Sequence, residues 1–142
     1  MKKLLYALIL SVTIVFTGCS DKKPEKVTAV ENFKLNDYLG TWYEIVRLEH
    51  RFEKGMEAIS ATYSMREDGG VKVLNKGYKT EEKEWSESEG KAYFVESTDK
   101  GFLKVSFFGP FYVSYIVMDT DYETYTIISG PDLSYFWKLS RT

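Results

Sequence analysis

The sequence predicts an all-β fold: one eight-stranded antiparallel up-and-down β-barrel, with a short N-terminal helical turn closing one end. Three observations carry this expectation. From Thr41 onward the hydrophobic period is two. The resulting runs are separated by turn chemistry at hairpin spacing, which leaves no room for crossover helices. In the runs Val71 to Tyr78, Phe102 to Phe107 and Tyr135 to Ser140 the charged residues keep to one face, so the other face must look into a core.

At the start of the 142-residue chain, Met1-Lys2-Lys3 precedes an apolar stretch from Leu4 to Phe16. That stretch is shorter than the roughly 20 residues a helix needs to cross a bilayer. With Thr17-Gly18-Cys19-Ser20 behind it, residues 1–18 read as an export signal. Cys19 is the only cysteine, so no internal disulfide forms, and it stands where a bacterial lipoprotein signal is cut and acylated. The alternative is an ordinary signal that happens to end near a cysteine. Residues 19–32, charged and containing Pro24, then read as the acylated cysteine and a tether, and residues 33–142 as a single barrel domain.

Removing residues 1–18 takes away two lysines and no acid, so the formal charge of −2 becomes about −4. A mildly acidic domain has no electrostatic case for nucleic acid. It also has no polybasic reason to sit on anionic lipid, so the membrane would be held through Cys19 alone.

Phe33 to Leu39 places apolar residues at short helical spacing and stops at Gly40, one or two turns serving as a lid on the closed end. Strands follow at Trp42 to Arg51, Glu57 to Arg66, Val71 to Tyr78, Gly90 to Glu96, Phe102 to Phe107, Tyr112 to Met118, Thr124 to Ser129 and Tyr135 to Ser140. Glu67-Asp68-Gly69-Gly70, Thr98-Asp99-Lys100-Gly101, Gly109-Pro110, Asp119-Thr120-Asp121 and Gly130-Pro131-Asp132 supply the turns. Thr80 to Glu89 reads as a longer charged loop. Gly40-Thr41-Trp42 and the terminal Trp137-Lys138-Leu139-Ser140-Arg141 are expected to meet, with the Arg141 guanidinium lying on the Trp42 indole and closing the floor.

Sidedness selects the kind of barrel. Lys72, Leu74 and Lys76 oppose Val71, Val73, Asn75 and Gly77, while Lys104 and Ser106 oppose Leu103, Val105 and Phe107. A transmembrane barrel turns its apolar face outward on strands of about 9 to 11 residues, the reverse of this pattern. Parity therefore assigns an interior pocket to Tyr63, Val73, Asn75, Ala92, Phe94, Leu103, Val105, Phe107, Tyr115, Val117, Ile128, Tyr135 and Trp137. Eight strands either just fill their interior with side chains or enclose one small ligand. Small residues such as Ala61, Gly77 and Ala92, and the buried polar tips of Tyr63, Asn75, Tyr115 and Tyr135, point to a cavity.

Gly40-Thr41-Trp42-Tyr43-Glu44, Ala61-Thr62-Tyr63-Ser64, Asn75-Lys76-Gly77-Tyr78, Asp119 to Tyr125 and Trp137 to Thr142 together resemble the signature motifs of the lipocalin family. Within it the chain is similar to the bacterial outer-membrane lipoproteins of the apolipoprotein D branch, and Phe16-Thr17-Gly18-Cys19 resembles a lipobox. The resemblance implies a calyx that binds, stores or carries fatty acids or lysophospholipids, in envelope stress or membrane maintenance. With Ser20 behind Cys19, it also implies sorting to the outer membrane, facing the periplasm. The family normally continues past the Arg141-Thr142 position with a helix on the barrel wall. That helix is absent from this chain: either the sequence is a fragment or the protein lacks that cover, in which case outer-wall positions such as Ile116 are expected to be exposed, and a homodimer is left open.

No cofactor, metal or catalytic residue is expected. His50 is the only histidine and has no second histidine or thiol for a metal site. Nucleophile-elbow, Ser/His/acid and phosphate-loop patterns are missing as well. Glu44 reads as a hydrogen-bonding partner at the barrel end, and His50 and Arg51 as residues of the mouth. Two other functions stay in view: a partner-binding periplasmic lipoprotein with a filled barrel, and an isomerase of the kind some lipocalins are.

Overall fold

A computed structural model describes residues 23–48 and 54–142 of the chain. One helical turn, α1 (Leu35–Tyr38), precedes eight strands: β1 (Gly40–Arg47), β2 (Met56–Met65), β3 (Val71–Lys79), β4 (Glu84–Phe94), β5 (Phe102–Phe108), β6 (Phe111–Thr120), β7 (Tyr125–Ser129) and β8 (Phe136–Ser140). Each strand pairs antiparallel with the next, and β8 returns to β1, so the sheet closes without an edge. Cys19, and the residues expected at the mouth, His50 and Arg51, lie outside the described residues.

The turn into the barrel depends on Gly40, whose φ of +100° is one that a side chain rarely tolerates. It also lets the Arg141 Nη1 come within 3.2 Å of where a β-carbon would stand. Above it, Trp42, Val117 and Ile128 are at most 1% exposed, forming one interior cluster with Phe33, Tyr38, Leu103 and Leu139.

Two expectations are corrected by the pairing. The stretch expected as a long loop before Gly90 is mostly strand, because β4 begins at Glu84 and leaves a short turn after Lys79. Its alternation is polar on both faces, which hides it from a hydrophobic pattern. Ser86 and Ser88 face inward opposite Gly77 and Asn75, with Glu84 on the same face opposite Lys79, whereas Glu87 stands on the outer face opposite Lys76. Ion pairs at 3.9 Å join Lys79 to Glu84 and Lys76 to Glu87, and on the outer wall Trp85 packs on Tyr78 with their ring centroids 5.4 Å apart. Exposed pairs of this kind contribute at most about 1 kcal/mol each, yet together they set the register.

The second correction concerns Ile116. It is fully buried, because Val27 (1% exposed) closes over it and Phe102 on the outer wall, with Ala29, Val95 and Met118 around them. The Val30 N–H donates to the Val117 carbonyl at 2.9 Å, and the Gly101 N–H donates to the Val30 carbonyl at the same distance. The segment ahead of Phe33, expected as a tether, thus packs on the barrel from about Val27 onward. Burying the two outer-wall side chains repays its ordering.

Candidate functional site: the calyx and its floor

The floor is built from three parts of the chain. Arg141 projects from behind β8, and its guanidinium carbon lies 3.8 Å from the centre of the Trp42 ring. The fork donates to the carbonyls of Thr41 (3.2 Å), Asp37 (2.9 Å) and Tyr38 (3.3 Å), while Nε donates to that of Tyr122 (3.1 Å). One side chain so ties together β1, α1 and the turn before β7. The Trp42 indole N–H donates to the Tyr38 carbonyl at 2.9 Å, fixing α1 across the barrel end.

Above the floor lies a chain of hydroxyls. Tyr115 shares hydrogen bonds with Tyr38 (2.7 Å) and Tyr63 (2.8 Å), and Tyr38 shares another with Thr126 (3.2 Å). Burial pushes the Tyr38 phenol up to about 12 against the partial relief of its hydrogen bonds, and it pushes Tyr63 and Tyr115 up in the same direction. The three phenols therefore stay neutral through the physiological range and act as hydrogen-bonding groups in an apolar wall. Parity identified Tyr63 and Tyr115 as buried tips in need of partners. Their partner Tyr38 comes from the helical turn, which sequence periodicity marks as a lid without showing where its hydroxyl points.

An enclosed void of about 20 Å³ sits among Tyr63, Val73, Ala92, Leu103, Val105 and Tyr115 of the expected pocket, together with Phe33, Leu35, Tyr38 and Val71. That is room for about one water, far below the several hundred Å³ of a ligand site. Phe94, Phe107, Val117, Ile128 and Trp137 belong to the same interior cluster without lining the void. Val117 and Ile128 are packed too tightly to present surface to a ligand. Asn75 faces inward opposite Ala61 and Ser88, half-buried. Tyr135 lies just ahead of β8, its ring centroid 6.3 Å from that of Trp137.

The small residues do not enlarge this void. A β-carbon on Gly77 would stand 3.1 Å from the Met56 sulfur and 3.4 Å from Ile59, and one on Gly90 would meet the Phe107 ring at 2.8 Å. Their space is taken by neighbouring side chains. The upper half of the inner wall differs: Val113, paired with Val105 on the same face as Tyr115, is 51% exposed. Phe108 and Phe111, at the end of the same hairpin, are 73% and 77% exposed. The calyx is filled at its base and open above.

The upper end of β1 carries charge inward. A register shift at Ile45 sets Glu44 opposite Leu139 and Arg47 opposite Trp137, both interior residues of β8. Arg47 Nη1 lies 3.3 Å from Glu44 Oε1, with the carboxylate side chain 8% and the guanidinium side chain 20% exposed. Sequence parity missed this pair because a bulge inverts the alternation.

Residues 33–142 match the family model described as a lipocalin-like domain. The chain is 52% identical over 132 residues to the outer membrane lipoprotein Blc of Vibrio cholerae serotype O1, spanning 92% of this chain and 77% of that one. It is 50% identical to the protein of the same name from Escherichia coli K12, spanning 97% and 80%. Apolipoprotein D of Macaca fascicularis is 40% identical across 78% of this chain and 62% of its own. Among solved structures, the cockroach allergen Per a 4 superposes with a TM-score of 0.67 at 24% identity, covering 85% of this chain and 76% of that one. Insecticyanin of the tobacco hornworm Manduca sexta also gives 0.67, at 21% identity over 85% and 70%. At these identities the two structures speak for the fold alone.

Proposed function

The chain belongs to the lipocalin family, and on that premise we propose that it binds and carries single-chain amphiphiles, fatty acids or lysophospholipids, at the outer membrane. Acylated Cys19 is its anchor there, as the names of the Vibrio and Escherichia relatives suggest. The observation that carries this reading is the open, apolar upper calyx above a packed base: Val113 faces inward and is half exposed, with Phe108 and Phe111 beside it. An acyl chain laid against this wall gains about 0.8 kcal/mol per buried methylene. A dozen carbons thus offset the several kcal/mol that association costs. The neutral tyrosine chain and the packed floor stop the tail from passing through the barrel. Maintenance of the envelope under stress is the physiological use this chemistry fits. We read the protein as binding its ligand unchanged, because the buried phenols stay neutral near neutral pH and the carboxylate that β1 places on the inner wall, Glu44, is held in an ion pair with Arg47.

Native mass spectrometry of the protein isolated from a bacterial envelope, with organic extraction of what it carries, tests the proposal. The expected result is a mass excess of one fatty acid or lysophospholipid per chain. An unchanged mass after such lipids are added would overturn it in favour of a filled barrel that serves a protein partner.

A further inference from the structure

Among the described residues, the pairing of β1 with β2 stops short of the open end. β1 and β2 are paired only from Gly40 opposite Tyr63 to Tyr43 opposite Ser60. Above that level β1 continues to Arg47 along β8, and β2 continues to Met56 along β3, with no ladder between them. The separation has a local cause on each strand. The register shift at Ile45 turns β1, and a second shift between Glu57 and Ser60, where Ala58 adopts a φ of +50°, turns β2. The Arg47 side chain reaches across this seam from inside: its Nη2 donates to the Met56 carbonyl at 3.4 Å while its Nη1 pairs with Glu44.

From this arrangement we infer that Arg47 is the head-group anchor of the calyx, selecting single-chain amphiphiles whose head is a carboxylate or a phosphate. The inference rests on the ligand class proposed above and adds the group that recognises its polar end. Three facts support it. Arg47 is the last residue of β1, so its inward guanidinium lies toward the open end, above the floor made by Trp42 on the same strand. A tail that enters the upper calyx leaves its head at that level. A guanidinium presents a planar fork that matches the two oxygens of a carboxylate or phosphate, and its charge is permanent. Finally, a mostly buried ion pair adds little net stability compared with apolar side chains of similar volume, so fold stability alone does not account for it. Glu44 holds the guanidinium in place before a ligand arrives and competes with the head group for it afterwards. A neutral head gains nothing from the exchange.

The test is competitive. The full chain, released from a nonionic detergent in native mass spectrometry, is incubated with equal amounts of palmitic acid, palmitoyl lysophosphatidic acid and monopalmitoylglycerol. The ratio of each anionic adduct to the neutral one is then compared between variants, which cancels partitioning into detergent. Glu44→Gln removes the competing carboxylate and should raise the ratio. Adding Arg47→Gln to that variant should lower it about tenfold from the single variant, the size of a lost charge-assisted hydrogen bond. The neutral adduct of the double variant reports that the calyx is still formed. A response of the fatty acid alone or of the lysophosphatidic acid alone would support the inference and name the head group. An equal ratio in the single and double variants would overturn it while leaving the calyx proposal standing, and so would loss of the neutral adduct together with the anionic ones. Absence of all three adducts from the parent chain would overturn both.

Discussion

Replacing Arg141 by alanine removes the one side chain that joins the three parts of the floor. The guanidinium 3.8 Å above the indole of Trp42 is partly desolvated, worth about 1 to 2 kcal/mol. Of its four carbonyl partners, Tyr38 keeps the Trp42 N–H and Asp37 turns toward water, so the bonds to Thr41 and Tyr122 are the ones lost, at about 1 kcal/mol each. Tyr122 has a φ of +65°, an uncommon conformation for a bulky residue, and the bond from Arg141 helps to hold it. The expected loss is about 3 to 4 kcal/mol, a large share of the stability of a small domain and a drop in Tm on the order of 15 °C. Arg141→Lys keeps a cation near the indole but cannot bridge three segments, so it should recover roughly half of this loss. Equilibrium unfolding in denaturant, followed by near-ultraviolet circular dichroism, measures both variants. A loss below about 1 kcal/mol in the alanine variant, or a lysine variant as stable as the parent, would refute the reasoning. So would a selective loss of lipid binding at unchanged Tm, since Arg141 lies beneath the calyx and not in it.

Alkaline pH should unfold the protein through the buried phenols. Tyr38 titrates near 10 in the unfolded chain and at about 12 in the folded one, so its contribution is complete below pH 10 and is lost as pH rises to 12, by roughly 3 kcal/mol. Tyr63 and Tyr115 steepen the same fall. Ionisation of all three at pH 10 without unfolding, read from the tyrosinate absorbance, would contradict this. Val27→Ala should cost about 2 kcal/mol by uncovering Phe102 and Ile116, and no change in Tm would mean that the segment is a tether after all. Val105→Trp fills the interior beside the void and projects toward the opening, so lipid adducts should fall at least tenfold in a folded variant. Undiminished binding would place the ligand elsewhere.

Much of this was legible from residues alone because alternation is a local property. Where apolar and charged side chains alternate, as at Val71-Lys72-Val73 in β3 and Leu103-Lys104-Val105 in β5, a period of two assigns both the strand and its inner face without reference to any partner. The contact of Trp42 with Arg141 was legible for another reason, since Gly40-Thr41-Trp42 and Trp137 to Arg141 resemble signature motifs of the family. β4 escaped the same logic between Glu84 and Glu89, where serine and glutamate alternate. Such a polar stretch is indistinguishable from a loop until β3 is seen across from it, with Gly77 and Asn75 facing the serines inside and Lys76 facing Glu87 outside. The cover over Ile116 was illegible because its partner Val27 lies 89 positions away in a charged stretch, and a lone valine there carries no period.

By itself the sequence determined the number of strands, their order and, where no bulge intervenes, the face each presents, because these follow from local chemistry and from turns too short for any other connection. The tertiary structure decided which side chains fill the interior space. Whether Gly77 and Gly90 leave room for a ligand depends on Met56, Ile59 and Phe107 arriving from other strands, and they take that room. It also decided where charge enters the calyx. A one-residue bulge reverses every side chain beyond it, and the backbone alone shows that Glu44 and Arg47, three positions apart, share the inner wall.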